Sequence, residues 1–339
     1  MLSHIFLLAR RSFLRPKNST MNQCNQGISD FDKENTSTNN TAISNDVEYV
    51  QLHNQVWMPR IGFGTYRLKN EAVKDPVYAA LETGYRHIDT ASVYRNEQVI
   101  GNILGDLKNG KARGSLKRRE DIFITTKLAP KDQGFEKASQ AIEDSIKKLG
   151  GPPIDLFLIH WPGCAGKQLD DPKIADMRLG SWRALEKAFA DGKVRAIGVS
   201  NFQPRHLIHL LENARVVPHV NQVEFHPACQ QKELMSLCKQ HKIQLVAYAS
   251  LGVGALLTHP IVQDVARGCS RTPAQVLLRW GLQKGVCVIP KASSIERIVE
   301  NYDVFEFKLD LEAMEALDNI SKEYSTPKHF CWDPEGVQF

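Results

Sequence analysis

"DLFLIHW", residues 155–161, sets four apolar side chains in unbroken succession between an acid and a histidine. A strand with one face in water alternates apolar and polar side chains, so an unbroken run this short calls for a strand buried on both faces, as in a parallel sheet covered by helices. Seven further runs share the pattern: "IGFGT" (61–65), "HIDT" (87–90), "IFITTK" (122–127), "AIGVSN" (196–201), "VNQVEF" (220–225), "IQLVAYAS" (243–250) and "VCVIPK" (286–291). Segments with helical spacing lie between them. "FEKASQAIEDSIKKLG" (135–150) closes on glycine, and "SWRALEKAFADGK" (181–193) opens on a serine suited to an N-cap. "TPAQVLLRWGLQKG" (272–285) opens with a capping threonine and a proline at the first helical position, and also closes on glycine. Strand ends recur at intervals of roughly 30 residues, the length of one strand-helix unit. Eight such units predict an α/β fold, a single-domain (β/α)8 barrel of the TIM type spanning 46–339. The other architecture, an open doubly wound sheet, calls for G-x-G-x-x-G after its first strand. "GFGTYR" supplies only the first two glycines.

The chain has 339 residues, 42% hydrophobic and 24% charged, enough for a sizeable core. Its net charge of +5 is too modest for a nucleic-acid footprint, and the one dense basic run, "KARGSLKRRE" (111–120), reads as a solvated loop. Seven cysteines, Cys24, Cys164, Cys229, Cys238, Cys269, Cys287 and Cys331, form no C-x-x-C pair and are odd in number. Neither a zinc site nor a closed disulfide framework is indicated, no metal is expected, and a reducing compartment is the default. No apolar run approaches the roughly 18 residues of a membrane span. Residues 18–45 are rich in Asn, Ser and Thr, which argues for a disordered extension over 1–45. The first 20 residues mix Arg with Leu, Ile and Phe, so a mitochondrial presequence stands beside the default cytoplasmic location.

In a barrel of this kind the active site gathers where strands end. The apolar runs stop there at Asp89, Lys127, His160, Ser200 with Asn201, Gln222, Tyr248 and Lys291, while Tyr94 follows Asp89 in the next loop. One buried histidine alone is usually a hydrogen-bonded core residue; polar ends on seven of the eight strands call for another explanation. Lys127 would carry its charge into a low-dielectric mouth, which needs a counter-ion, and Asp89 is the one on offer. A cation beside Tyr94 favours the phenolate and is expected to lower its pKa towards working pH, as a general acid needs. His160 would then orient a substrate carbonyl.

Six motifs, "GYRHIDTASVYRNE", "ITTKL", "LIHWPG", "GKVRAIGVSNF", "NQVEFHP" and "IPKASSIERIVEN", stand in an order and spacing that resemble the aldo-keto reductases from about residue 47 to the end. The resemblance implies NADPH-dependent reduction of aldehydes and ketones, with Asp89, Tyr94, Lys127 and His160 as a catalytic tetrad and Tyr94 as proton donor. It implies that Tyr248 stacks on the nicotinamide while Ser200, Asn201 and Gln222 bond its carboxamide. Gly64, Thr65 and the turn Ser250, Leu251 and Gly252 join them as cofactor contacts. Lys291, Ser293, Ser294 and Arg297 would cradle the 2′-phosphate, and Glu300 and Asn301 the adenine. Two departures touch phosphate binding: Ala292 follows the lysine where a serine is common, and "YASLG" replaces a Ser-Pro-Leu turn. Tyr66, Trp161 and Trp332 are candidate substrate walls, and a short loop after His160 implies a wide pocket for small-molecule carbonyl compounds. A monomer is expected. A nicotinamide-sensing binding subunit on the same barrel is the alternative, since a fold alone does not give function.

Overall fold

The computed structural model describes residues 48–109 and 118–337. The readings of 1–45 as an extension and of residues 111–117 as a solvated loop lie outside the described residues.

An antiparallel hairpin comes first, β1 (Tyr49–Gln51) and β2 (Trp57–Pro59). Eight parallel strands follow, paired in sequence order: β3 (Phe63–Gly64), β4 (His87–Asp89), β5 (Phe123–Leu128), β6 (Leu156–Ile159), β7 (Ile197–Ser200), β8 (Val220–Glu224), β9 (Gln244–Tyr248) and β10 (Cys287–Val288). The last strand meets the segment that leads into the first. Ile61 bridges to Val288, Gly62 N–H donates to the Val288 carbonyl at 2.8 Å, and Gly64 N–H to that of Pro290 at 3.0 Å. Gly64 is required at this seam, because a Cβ there would stand 2.7 Å from the Ile289 carbonyl oxygen. All eight runs read from the sequence are strands of this closed barrel.

Six helices cover the strands β3 to β8 in turn: α1 (Lys74–Thr83), α2 (Glu97–Lys108), α3 (Phe135–Lys148), α4 (Lys173–Ala190), α5 (Pro204–Asn213) and α6 (Lys232–Gln240). Two helices, α7 (Pro260–Gly268) and α8 (Pro273–Gln283), separate β9 from β10. After β10 come α9 (Ile295–Tyr302), which packs on α1 and completes the ring, and α10 (Leu311–Asn319), which packs on the other additional helix, α7. Thr272 caps α8 as expected, its hydroxyl accepting from Gln275 N–H and the Gln275 side chain accepting from Thr272 N–H.

One expectation needs correction, and one element was not foreseen. The helix read from Ser181 begins at Lys173, and Ser181 lies inside it, donating to the Met177 carbonyl and accepting from Gly134 N–H. Gly180, just before that serine, serves packing: a Cβ there would stand 2.9 Å from Phe135 N, so α4 and the start of α3 meet at backbone range. The hairpin β1–β2 was not read at all. Its tip carries polar residues; Pro59 is buried at the end of β2, and Leu52 and Met58 are buried against Phe123, Leu156, Leu158, Val220 and Val246 on the barrel's inner face. It therefore closes the barrel's floor. The alternate residues Phe157, Ile159, Ile197 and Val199 belong to the separate core beneath the helices. Both faces of each strand are dry, which is why the runs do not alternate.

Candidate active site

At the open end of the barrel, Asp89 closes β4 and Lys127 lies near the end of the neighbouring β5. Lys127 is fully buried and Asp89 nearly so; the ammonium donates to Asp89 Oδ1 at 2.6 Å and to the Thr90 carbonyl at 2.8 Å. The other carboxylate oxygen accepts from Gln222 Nε2 at 2.7 Å. Tyr94 sits above them at the end of a short 3-10 turn, with Lys127 Nζ 5.0 Å from its ring centre. His160, just past β6, meets the Tyr94 ring edge-on at 5.6 Å, and Tyr66 flanks it on another side at 5.3 Å. The four residues expected to form a tetrad are thus brought together.

The electrostatics differ from expectation at Tyr94. Burial pushes the phenol well above its ordinary value, and the Asp89 carboxylate pushes it further the same way. Tyr94 is therefore firmly protonated. Burial lowers the Lys127 pKa while the pair with Asp89 raises it, so the ammonium depends on that carboxylate. Burial, then the Lys127 charge, brings His160 down to about 3, which leaves a neutral imidazole at physiological pH.

The neighbouring strand ends carry the residues expected to hold a nicotinamide. The Ser200 hydroxyl donates to the Gln222 carbonyl at 2.8 Å, Asn201 Nδ2 to the His160 carbonyl at 2.9 Å, and the Tyr248 hydroxyl to Asn201 Oδ1 at 2.5 Å. The side-chain amide nitrogens of Asn201 and Gln222 thus donate to the His160 carbonyl and to Asp89 Oδ2. Asn201 also holds a left-handed backbone, φ 66°, which re-aims the chain at the strand's end. Thr65 is buried and bonded to the Asp89 carbonyl. In the following turn Ser250 and Gly252 are buried and Leu251 partly so. Lys291, Ser293 and Arg297 are exposed around the first turn of α9, whose cap is Ser294, while Glu300 accepts from Thr272 Oγ1 and Asn301 is buried. Polar and cationic side chains at a helix N-terminus fit a phosphate, and the Tyr248 ring at the barrel mouth fits a flat ring.

On the substrate side Tyr66 and Trp332 are exposed, and Trp332 meets Trp161 edge-on at 6.4 Å. The loop after His160 runs from residue 160 to 172 and is longer than expected. Its first carbonyls are pinned: Gln133 Nε2 donates to those of Trp161 and Gly163 at 2.8 and 2.7 Å, and Arg178 Nη1 to that of Pro162 at 3.2 Å.

The family model described as "Aldo/keto reductase family" matches residues 60–322. The chain belongs to this family. Among curated relatives, the glyoxal reductase of Bacillus subtilis is 44% identical over 275 residues, covering 81% of this chain and 93% of its own. The 9,11-endoperoxide prostaglandin H2 reductase of Trypanosoma cruzi is 42% identical over 290 residues, covering 84% and 94%. Among crystal structures, an aldo-keto reductase from a Medee basin deep-sea metagenome library aligns with TM-score 0.73 at 42% identity, covering 83% of this chain and 98% of its own. A silkworm (Bombyx mori) aldo-keto reductase complexed with NADPH aligns with TM-score 0.72 at 32% identity, covering 81% and 88%. No helix among the described residues of this aldo-keto reductase is long and apolar enough to cross a membrane.

One cluster beside the site escaped the sequence reading. Glu224, at the end of β8, is buried and accepts from His226 Nε2 at 3.1 Å, His329 Nδ1 at 2.9 Å, Phe330 N–H at 2.7 Å and Cys331 N–H at 3.3 Å. Burial pushes its pKa up, but the bonds from His226, His329 and the Phe330 amide outweigh this and bring it down to about 2. His329 is pushed up to about 10 by its contact with Cys229 Sγ and its pair with Glu224. The Cys229 thiol stays neutral because burial raises its pKa, so the Glu224 carboxylate is the lasting cause. "NQVEFHP" drew attention only to Gln222. A strand-end glutamate followed by a histidine two residues on, with a second histidine in the tail, was the available signal.

Proposed function

We propose that this chain reduces aldehydes and ketones to alcohols with NADPH, and that Tyr94 delivers the proton. The observation that carries the reading is the convergence of Tyr94 and His160 above a buried Lys127–Asp89 pair, at the mouth of a barrel whose next strand ends offer Ser200, Asn201, Gln222 and Tyr248. Bound NADPH supplies a hydride to the carbonyl carbon. Tyr248 would lie against the nicotinamide and Lys291, Ser293 and Arg297 around the 2′-phosphate. Gln222 Nε2 would have to trade its bond to Asp89 for one to the carboxamide.

The rest is work for side chains of this chain. A neutral His160 can donate one hydrogen bond to the carbonyl oxygen without bringing a charge into the site, and so fixes which face of the carbonyl looks inward. Tyr94, firmly protonated, holds the proton that the oxygen takes as negative charge builds on it. Lys127 places positive charge beneath that oxygen, and Asp89 keeps Lys127 charged. The relative named for glyoxal reduction supports a carbonyl substrate, whereas the one named for the 9,11-endoperoxide of prostaglandin H2 acts on an oxygen–oxygen bond and does not bear on carbonyl choice; aromatic walls at Tyr66, Trp161 and Trp332 favour apolar compounds. Tyr94→Phe tests the assignment: turnover of NADPH with glyoxal is expected to fall by about 10²-fold or more, with NADPH binding kept. Unchanged turnover would reject Tyr94 as the donor. A wild-type protein that binds NADPH and reduces no carbonyl compound would favour a binding subunit instead.

A further inference from the structure

The tail after α10 returns across the open end of the barrel and is tied down twice. At residues 329–331 three donors, the His329 ring and the amides of Phe330 and Cys331, converge on the single buried carboxylate of Glu224. At 335–337 the guanidinium of Arg205 pairs with Glu335 and, together with the His206 ring, donates to the Val337 carbonyl. Trp332 stands between the two ties, 84% exposed, edge-on to Trp161. A tryptophan kept in water while its neighbours on both sides are fixed is not a core residue that failed to pack. Its backbone is held so that the ring stays out.

Glu224 cannot be explained as a surface ion pair. Its carboxylate is 1% exposed and would cost heavily to bury without the donors it collects. Three of its four donors come from a segment more than 100 residues away in sequence, so a carboxylate on a rigid strand fixes a tail that has no strand or helix of its own at this point. β8 pairs with β9 in a register that sets Glu224 opposite Tyr248, and Gln222 lies two residues before it on the same strand. The strand that carries a proposed cofactor contact therefore also sets the height of the tail. Phe330 reaches the proposed cofactor turn as well: a Cβ at Gly252 would stand 3.0 Å from its ring.

We infer that Glu224 is a positioning residue that seats the tail so that Trp332 and Trp161 form an aromatic lip, selecting carbonyl compounds with a flat apolar substituent over small ones. This rests on the carbonyl-reductase reading above. Glu224 touches no reacting atom. It acts through His329 and the backbone of 330 and 331, and it bears on substrate affinity while leaving hydride and proton transfer alone.

The test compares phenylglyoxal with methylglyoxal, two dicarbonyls that differ in the flat substituent, in wild type, Glu224→Gln, His329→Ala, His329→Gln and Trp332→Ala. For Trp332→Ala and His329→Ala, KM for phenylglyoxal is expected to rise about five- to tenfold, the worth of one aromatic contact. In His329→Ala, KM for methylglyoxal and kcat for both should stay within about twofold of wild type. His329→Gln, which returns a donor to the carboxylate, is expected to recover most of the loss. Tail seating is read separately by limited trypsin digestion, with cleavage after the exposed Lys328 followed by mass spectrometry. It should speed up in Glu224→Gln and His329→Ala and stay slow in Trp332→Ala. Equal KM changes for the two aldehydes, or no rescue by His329→Gln, would overturn the selective role. Cleavage at Lys328 as slow in His329→Ala as in wild type would overturn the seat itself, even if Glu224→Gln fails to fold. If wild type reduces neither aldehyde, the functional reading fails, and the trypsin comparison alone still decides whether Glu224 seats the tail.

Discussion

Lys127→Met isolates the energetics on which the site depends. Lys127 is fully buried and Asp89 2% exposed, with 2.6 Å between Nζ and Oδ1. At that distance and an effective dielectric constant of about 20, Coulomb's law gives a gross attraction of about 6 kcal/mol, from which the cost of burying both charges must be subtracted. Removing the cation alone returns none of the cost of burying Asp89. The carboxylate keeps Gln222 Nε2 and loses its ion-pair partner, and the Thr90 carbonyl loses its donor. Breaking a buried pair from one side costs about 3–5 kcal/mol. At about 2 °C per kcal/mol for a chain of this size, that is a drop of roughly 6–10 °C in Tm. Replacing Asp89 by Asn as well removes the stranded charge, and an amide oxygen can still accept from Gln222. The double variant D89N/K127M should therefore recover most of the lost stability while turnover stays as low as in K127M. Urea unfolding followed by circular dichroism, on wild type, both single variants and the double, closes a thermodynamic cycle. A K127M protein within about 1 kcal/mol of wild type, or a double variant no more stable than K127M, would refute the argument that Asp89 is there to keep Lys127 charged.

Further outcomes follow from the same geometry. On the proposal that Tyr94 donates the proton, its raised pKa means that kcat for reduction should hold through neutral pH and decline only above about pH 10; a decline centred near pH 7 would contradict the raised phenol. His160, at about 3, should add no step between about pH 5 and 8, which the same profile checks. Lys291→Glu should weaken NADPH far more than NADH in fluorescence titrations, and equal losses would move the phosphate elsewhere. For the Glu224–His329 pair, the raised histidine contributes stability in full below its ordinary 6.5 and loses it as pH rises through about 10. The depressed glutamate contributes in full above its ordinary 4.5 and loses it as pH falls through about 2. The stability lost in His329→Ala should thus be largest between about pH 4.5 and 6.5 and shrink towards pH 10; a difference that grows with pH would sink the pairing.

The strands were legible because their physics is local. A run such as "DLFLIHW" needs two dry faces wherever it sits, and each strand end could be read from the residue at which the apolar run stopped. Asp89, Lys127 and His160 were legible for the same reason: each interrupts such a run. The start of α4 was not, since Gly180 breaks the helical pattern for a purpose found only in the approach of α3, 45 residues earlier at Phe135. The hairpin was hidden by its polar tip, which buries little more than Leu52 and Met58. Glu224 was hidden because its partners lie in the tail, and no short-range pattern links a strand-end glutamate to a histidine 105 residues away. Local periodicity reports burial, whereas these features report pairings across the chain.

The same distinction explains the one electrostatic expectation that failed. A lysine near a tyrosine suggests a lowered phenol pKa only if its charge is free to act on the phenol. Here the ammonium touches Asp89 Oδ1 and the Thr90 carbonyl, and its nearest measure to Tyr94 is 5.0 Å to the ring centre. Burial of the phenol is the larger cause of its raised pKa, and the carboxylate that keeps Lys127 charged pushes it the same way. What survives suits reduction in one direction. A phenol that holds its proton tightly is always loaded for donation to an oxygen whose own basicity rises sharply as hydride arrives, and the transfer needs no phenolate in the resting site. On the proposed role of Tyr94, the reverse transfer would have to start from the phenolate, so burial of Tyr94, with the Asp89 carboxylate beside it, favours the resting protonation state that the proposed reduction needs.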